Sequence, residues 1–169
     1  MIYIHKTPSR YYRTLLKDSA LYSIVVAIRN FKRDDFFPIA KLIYETFPER
    51  YDPQLIINLF EFFPEGFLIA EENNKIIGFL AGVLSIGNRA KILLLGVEKE
   101  HRNKGIGSLL LRRFIRNMAL KGIRIIELEV DTSNKKAVSF YKKNGFVISK
   151  IVKNFYRSGD DAYLMVKHL

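Results

Sequence analysis

The sequence predicts an α/β fold: a mixed central sheet of about seven strands with helices on both faces. Three observations predict it. Runs of β-branched residues alternate with stretches of helical periodicity along the chain. One strand–helix–strand segment, residues 90–131, requires a parallel crossover, which is expected to be right-handed. Short polar turns join other strands, and such turns make antiparallel neighbours.

The elements follow in order. Residues 23–29 carry the run Ile24, Val25, Val26 and Ile28 and read as the first strand. Asp34 and Asp35 offer a helix start, after which Phe37, Ala40, Ile43, Tyr44 and Phe47 recur at helical spacing. Pro48 ends that helix, because a residue before proline avoids the helical region. Asp52-Pro53 opens a second helix, cap then proline, running to Phe62 or Phe63. Residues 66–70 and 76–84 read as two strands around the asparagine-rich turn Glu71-Glu72-Asn73-Asn74-Lys75. Residues 90–97 form the next strand, followed by a charged, glycine-containing loop and a helix over 108–120 that Gly122 terminates. A buried strand at 123–131 leads through Thr132-Ser133-Asn134 into a helix at 135–143, closed by Gly145. Strands at 146–152 and 162–166 finish the chain. The predicted order is β-α-α-β-β-β-α-β-α-β-β. Residues 1–22 read as a basic, tyrosine-rich N-terminal extension to one domain at 23–169.

Composition narrows the chemistry. The chain has 169 residues, 49% of them hydrophobic, enough for one buried core and too many for disorder. No cysteine is present, which excludes a disulfide scaffold, a cysteine-ligated metal and a cysteine nucleophile. The three histidines are scattered, so no metal site is expected. The net charge of +11 calls for anionic partners of some kind. No apolar run is long enough to span a membrane and the first residues lack the order of a secretory leader, so a soluble, cytoplasmic protein is expected.

The most informative stretch runs from Val97 through Arg102-Asn103-Lys104-Gly105-Ile106-Gly107-Ser108. Its glycines let a ligand approach the backbone, and the following helix offers unpaired N–H groups and its positive dipole end. Arg102 and Lys104 add charge at the same point, which makes a diphosphate cradle. No Lys-Ser or Lys-Thr pair follows the second glycine, so this is not a Walker loop. A third glycine is also missing for a dinucleotide fingerprint.

Arg102-x-x-Gly105-x-Gly107, after a strand and before an amphipathic helix, resembles the acetyl-CoA loop of the GNAT N-acetyltransferases. Leu128-Glu129-Val130-Asp131-Thr132-Ser133-Asn134, then Ala137, Phe140-Tyr141 and Asn144-Gly145-Phe146, resembles that family's second signature. Phe47-Pro48-Glu49-Arg50-Tyr51, Asn154-Phe155-Tyr156 and the 159–165 segment resemble its protein N-terminal (Nα) branch, notably archaeal and ribosomal-protein-alanine enzymes.

The resemblance implies a GNAT fold and acetyl-CoA as the cofactor. It implies cofactor contacts from Leu95, Gly96, Val97, Arg102, Asn103, Lys104, Gly105, Ile106, Gly107, Ser108, Asn134, Ala137 and Tyr141. Glu129 matches the position of the catalytic Glu or His, and Tyr141 that of the acid near the coenzyme sulfur. The Val97 N–H matches the oxyanion donor. Phe47, Pro48, Glu49, Tyr51, Leu93, Phe155 and Tyr156 would line a pocket for a peptide N-terminus. Two departures stand out: Lys91 occupies a position where some relatives carry a catalytic tyrosine, and Phe155 replaces a second tyrosine.

The expected function is acetyl transfer to the α-amine of protein N-termini. Lysine side chains, polyamines or other small amines are the alternative acceptors. A basic RNA- or ribosome-binding module is the alternative of another class. Ribosome association through the basic surface is an expected partnership, whereas membrane and specific DNA binding are not.

Overall fold

The computed structural model describes residues 26–47 and 52–169. The expected extension at 1–22, the start of the first strand, and Pro48, Glu49 and Tyr51 of the pocket all lie outside the described residues. The elements are β1 (Ala27–Asn30), α1 (Phe36–Thr46), α2 (Pro53–Phe62), β2 (Phe67–Glu72), β3 (Lys75–Ser85), β4 (Arg89–Val97), α3 (Ile106–Leu120), β5 (Ile125–Asp131), α4 (Lys135–Lys143), β6 (Val147–Val152) and β7 (Ala162–His168). Among the described residues this is the predicted order.

Local chemistry sets most boundaries. Asp52 accepts the Gln54 N–H at 2.8 Å and Pro53 follows, fixing the start of α2. Asn73 and Asn74 both take positive φ, 49° and 63°, the backbone of a tight hairpin turn. Gly122 ends α3 with paired bonds, Ile123 N–H to Met118 C=O and Gly122 N–H to Ala119 C=O. Two helix starts differ from expectation. α1 begins at Phe36 rather than at Asp34-Asp35, which belong to a 3-10 turn over residues 33–35. There the Asp35 carboxylate accepts from Arg29 at 2.6 and 2.9 Å and from the Lys32 N–H at 2.7 Å instead of capping α1. α3 begins at Ile106 rather than residue 108, so Ile106, Gly107 and Ser108 form its first turn.

The sheet order is β1-β2-β3-β4-β5-β7-β6. Every pairing is antiparallel except β4 with β5. One apolar core lies under α1 and α2, with Ile39, Leu42, Ile43, Ile56 and Leu59 against Phe67, Ile69, Phe79 and Leu94. The other lies under α3 and α4, with Leu110, Leu111, Phe114 and Met118 against Leu68, Leu80, Ile92, Ile126 and Leu128. Helices therefore cover both faces, which is the predicted layering.

β4 carries the feature that positions the site. Its register against β3 slips at Leu93, because Gly82 pairs with Ile92 and Ala81 with Leu94. This bulge reverses which side chains face which core. Ala90 and Ile92 face the α3/α4 core before it, and Leu95 and Val97 pack against that same core after it. Against β5 the strand pairs over Arg89, Lys91 and the residue between them, opposite Ile125 to Glu127. Beyond Lys91 the two parallel strands part.

Candidate active site

The open side of β4 follows from hydrogen-bond alternation. Residues of an antiparallel pair alternately exchange hydrogen bonds and turn their backbone groups outward. The Glu98 N–H donates to Ile77 C=O at 2.8 Å, so the neighbouring Gly78–Val97 pair is of the outward kind. Leu95, opposite Leu80, is outward as well. Both residues thus point their N–H groups into the gap between β4 and β5. Gly96 turns its groups to Phe79, and a Cβ on it would lie 2.6 Å from the Phe79 ring. Its lack of a side chain serves that packing.

The loop after β4 is tied down from several directions. The Arg102 Nε donates to Val97 C=O at 2.9 Å. His101 Nδ1 lies 2.8 Å from Glu98 and its Nε2 lies 3.3 Å from Glu72, while Lys75 holds Glu98 at 2.6 Å. That Lys75 contact keeps the Glu98 carboxyl below the usual carboxylate range, against the smaller effect of burial. Asn103 (φ 62°) and Gly105 (φ 83°) take left-handed backbone, and Gly105 caps α3 with no side chain over the helix end. Arg102 and Lys104 are exposed beside it. Ile106 is buried in the core, so only its backbone faces the loop.

α4 forms the other wall. Asn134 accepts the Ala137 N–H at 3.0 Å and so caps the helix, leaving its amide N–H groups for other use. A Cβ on Gly107 would touch Phe140 at 3.4 Å, so the first turn of α3 lies directly against α4. Tyr141 is buried edge-on between Phe140 and Phe146, with centroids 5.1 and 5.6 Å away. Burial pushes its phenol pKa well up, and the nearby Tyr156 adds to the shift. Tyr141 is therefore a neutral hydrogen-bond donor at any physiological pH.

The residues expected at an acceptor pocket lie on β4, β5 and the loop between β6 and β7. Glu129 lies opposite Leu164 of β7, on the face away from the Leu128 core. The Lys91 Nζ donates to it at 2.7 Å. Phe155 is exposed and stands edge-on to Tyr156 at 5.1 Å. Leu93, at the bulge, is partly exposed, and Phe47 stands edge-on to Phe79 at 6.3 Å. A cleft of about 240 Å³ between the end of α1 and the loop is lined by Leu42, Glu45, Thr46, Glu98, Lys99, Glu100 and Arg102. A groove of about 270 Å³ between α1 and α2 contains none of the residues at the β4–β5 opening.

These parts fit acetyl-CoA: a cationic helix N-terminus with a bare glycine cap, and outward N–H groups at the parted edge of β4. The chain matches the profile described as "Acetyltransferase (GNAT) family" over residues 28–146, more than half its length.

The chain belongs to the GNAT acetyltransferase family. It is an acetyl-CoA-dependent N-acetyltransferase.

Three similar proteins place it further. An uncharacterized N-acetyltransferase of Methanocaldococcus jannaschii is 34% identical over 143 residues, covering 83% of this chain and 90% of that one. An N-alpha-acetyltransferase of Saccharolobus solfataricus is 29% identical over 154 residues, covering 84% and 92%. The solved structure of Arabidopsis thaliana Naa50 with the bisubstrate analogue CoA-Ac-MVNAL superposes with a TM-score of 0.78. It is 28% identical, covering 85% of this chain and 99% of that one.

Within this GNAT domain the fold gathers the predicted cofactor residues at the β4 end, the α3 start and α4. It sets Glu129 on the face of β5 away from the α3/α4 core. Sequence reasoning missed the Lys91–Glu129 pair, the His101 anchor and the bulge at Leu93. A signal for the pair existed: Arg89-x-Lys91 and Glu127-x-Glu129 are complementary on two strands expected to run parallel.

Proposed function

We propose that this enzyme acetylates the α-amino group of protein N-termini in the cytoplasm, by direct attack of the amine on the thioester. The observation that carries the reading is the β4–β5 opening, with the Lys91–Glu129 pair where strand pairing stops. The named Nα-acetyltransferase relatives support it. Acetyl-CoA supplies the acetyl group as a thioester: the N–C bond forms, the C–S bond breaks and sulfur leaves as thiolate.

Arg102, Lys104, Gly105, Gly107 and the first N–H groups of α3 hold the diphosphate. Outward N–H groups of Leu95 and Val97 receive the extended arm, the Val97 N–H facing the developing oxyanion. Glu129 takes the amine proton, a modest task because an α-amine has a pKa near ~8. Tyr141, held neutral by burial, donates a hydrogen bond to the departing sulfur. Phe47, Leu93, Phe155 and Tyr156 receive the first residues of the peptide, together with Pro48, Glu49 and Tyr51. Without cysteine, the transfer has no cysteinyl-acyl step.

The test is mass spectrometry on a library of short peptides incubated with enzyme and acetyl-CoA. Acetyl is expected on free α-amines, with release of CoA. Acetylation confined to blocked peptides with a free lysine would move the acceptor to side chains or small amines.

A second partnership is proposed for the basic surface. No acidic residue occurs between Arg102 and Ile126, or between Thr132 and Gly159, and most of the basic residues there are exposed. We assign this surface to ribosomal RNA near emerging chains. Binding that weakens steeply with salt is expected, and salt-independent or absent binding would refute it.

A further inference from the structure

Two ion pairs cross from β4 to β5 at the vertex of the opening. Arg89 meets Glu127 at 2.5 Å and Lys91 meets Glu129 at 2.7 Å. The first lies within the paired stretch, the second where pairing stops. The Glu129 side chain is 14% exposed and that of Lys91 29%, so water screens this rung only in part.

Among the described residues, the neighbours of the rung bring no further charge to it. Leu164 and Val166, opposite Glu129 and Glu127 on β7, carry no charge. Arg89 and Glu127 satisfy each other. Asp131, farther along β5, accepts the Ser133 N–H, and His168 pairs with Ile125 at the opposite end of the strand. On the other side of the sheet Tyr141 is neutral, and Tyr156 stands near it. Among the described residues, Lys91 is the counter-charge that Glu129 meets.

An acceptor amine arrives largely as an ammonium ion, which is not a nucleophile. A lone, half-shielded carboxylate would bind that ion and raise its pKa, holding the substrate in its unreactive form. A neutral Lys91–Glu129 rung removes this attraction. Lys91 donates to one carboxylate oxygen, which leaves the second able to accept a proton.

We infer that Lys91 is a positioning residue that offsets the charge of Glu129, so that the opening admits the acceptor amine in its neutral form. This rests on the reading of the opening as the acceptor site. It gives lysine a role where some relatives use tyrosine.

The experiment compares kcat and KM against pH for the wild type, Lys91→Met, Lys91→Arg and the double variant Lys91→Met/Glu129→Gln. Melting temperatures are recorded for each. Both an N-terminal peptide and a small amine serve as acceptors. In Lys91→Met the acid limb of kcat is expected to move up by about one pH unit, and kcat near pH 7 to fall about tenfold. KM is expected to hold or fall, because the ammonium now binds. Lys91→Arg restores the limb. The double variant, which leaves no unpaired ion, returns the limb to its wild-type position while kcat stays low.

An unmoved limb in Lys91→Met, with kcat and KM worsened together at every pH, would overturn the inference and make Lys91 a strut. Full activity of the double variant removes the base assignment, while the limb of Lys91→Met still decides the charge offset. Acetylation of the small amine alone refutes the N-terminal reading, and the same comparison with that amine decides the role of Lys91.

Discussion

The two sides of β4 behave as different materials. Toward β3 the strand is paired from Arg89 to Val97 and interrupted only at the Leu93 bulge. Toward β5 pairing ends after Lys91. The closed side is crowded: a Cβ on Gly82 would lie 2.5 Å from the Phe114 ring and 2.9 Å from the Lys91 carbonyl. The open side leaves backbone N–H groups without a strand and places charged residues at the vertex. Stability should reside on the first side and chemistry on the second, and substitutions can be chosen to separate them.

The largest effect is expected on the open side. Gly107→Glu sets a carboxylate at the α3 start, the place proposed for the diphosphate. CoA affinity should fall on the order of 10³-fold, about 4 kcal/mol by calorimetry, with the fold intact. Gly82→Val attacks the closed side instead. Overpacking against Phe114 should cost about 3 kcal/mol in denaturant unfolding while leaving CoA affinity per folded molecule unchanged. Glu129→Gln returns to the open side: kcat should drop on the order of 10²-fold, with CoA affinity kept. Wild-type turnover would remove Glu129 from the chemistry.

The smallest effect concerns the far edge of the sheet. Burial alone would raise the Asp35 carboxyl, but hydrogen bonds from Arg29 and the Lys32 N–H outweigh it and hold the pKa below the ordinary range. A depressed folded-state pKa gives stability that is full above the unfolded value and lost as pH falls through the folded one. Asp35→Asn should cost about 2 kcal/mol at neutral pH, since it leaves Arg29 with Glu71 alone. The gap between the two proteins should close in acid. Equal stability at neutral pH would show that the Arg29 contacts contribute nothing.

The fold was legible because its signals are local. Asp52-Pro53, Asn73-Asn74, Gly122 and Asn134 each act on their own few residues, and each sits where its chemistry requires. The boundaries that moved were decided at longer range. Asp35 looks like a cap in sequence, yet Arg29 from β1 claims it. The loop before α3 stood out by its glycines and charges, and by its resemblance to a family signature. The proposed acceptor side was less legible, because Lys91 and Glu129 meet only through the pairing of β4 and β5, 38 residues apart. A bulge such as that at Leu93 has no side-chain signature of its own, since it arises from register between two strands.

The comparison of the two sides reduces to individual amides. Hydrogen exchange resolved by residue, with and without CoA, reads them directly. The Leu95 and Val97 amides, turned to the open side, should gain protection when CoA binds. The Gly96 amide, already bonded to Phe79, should change little. Unchanged exchange at Leu95 and Val97 with CoA bound would contradict the assignment of the β4–β5 opening as the cofactor's edge.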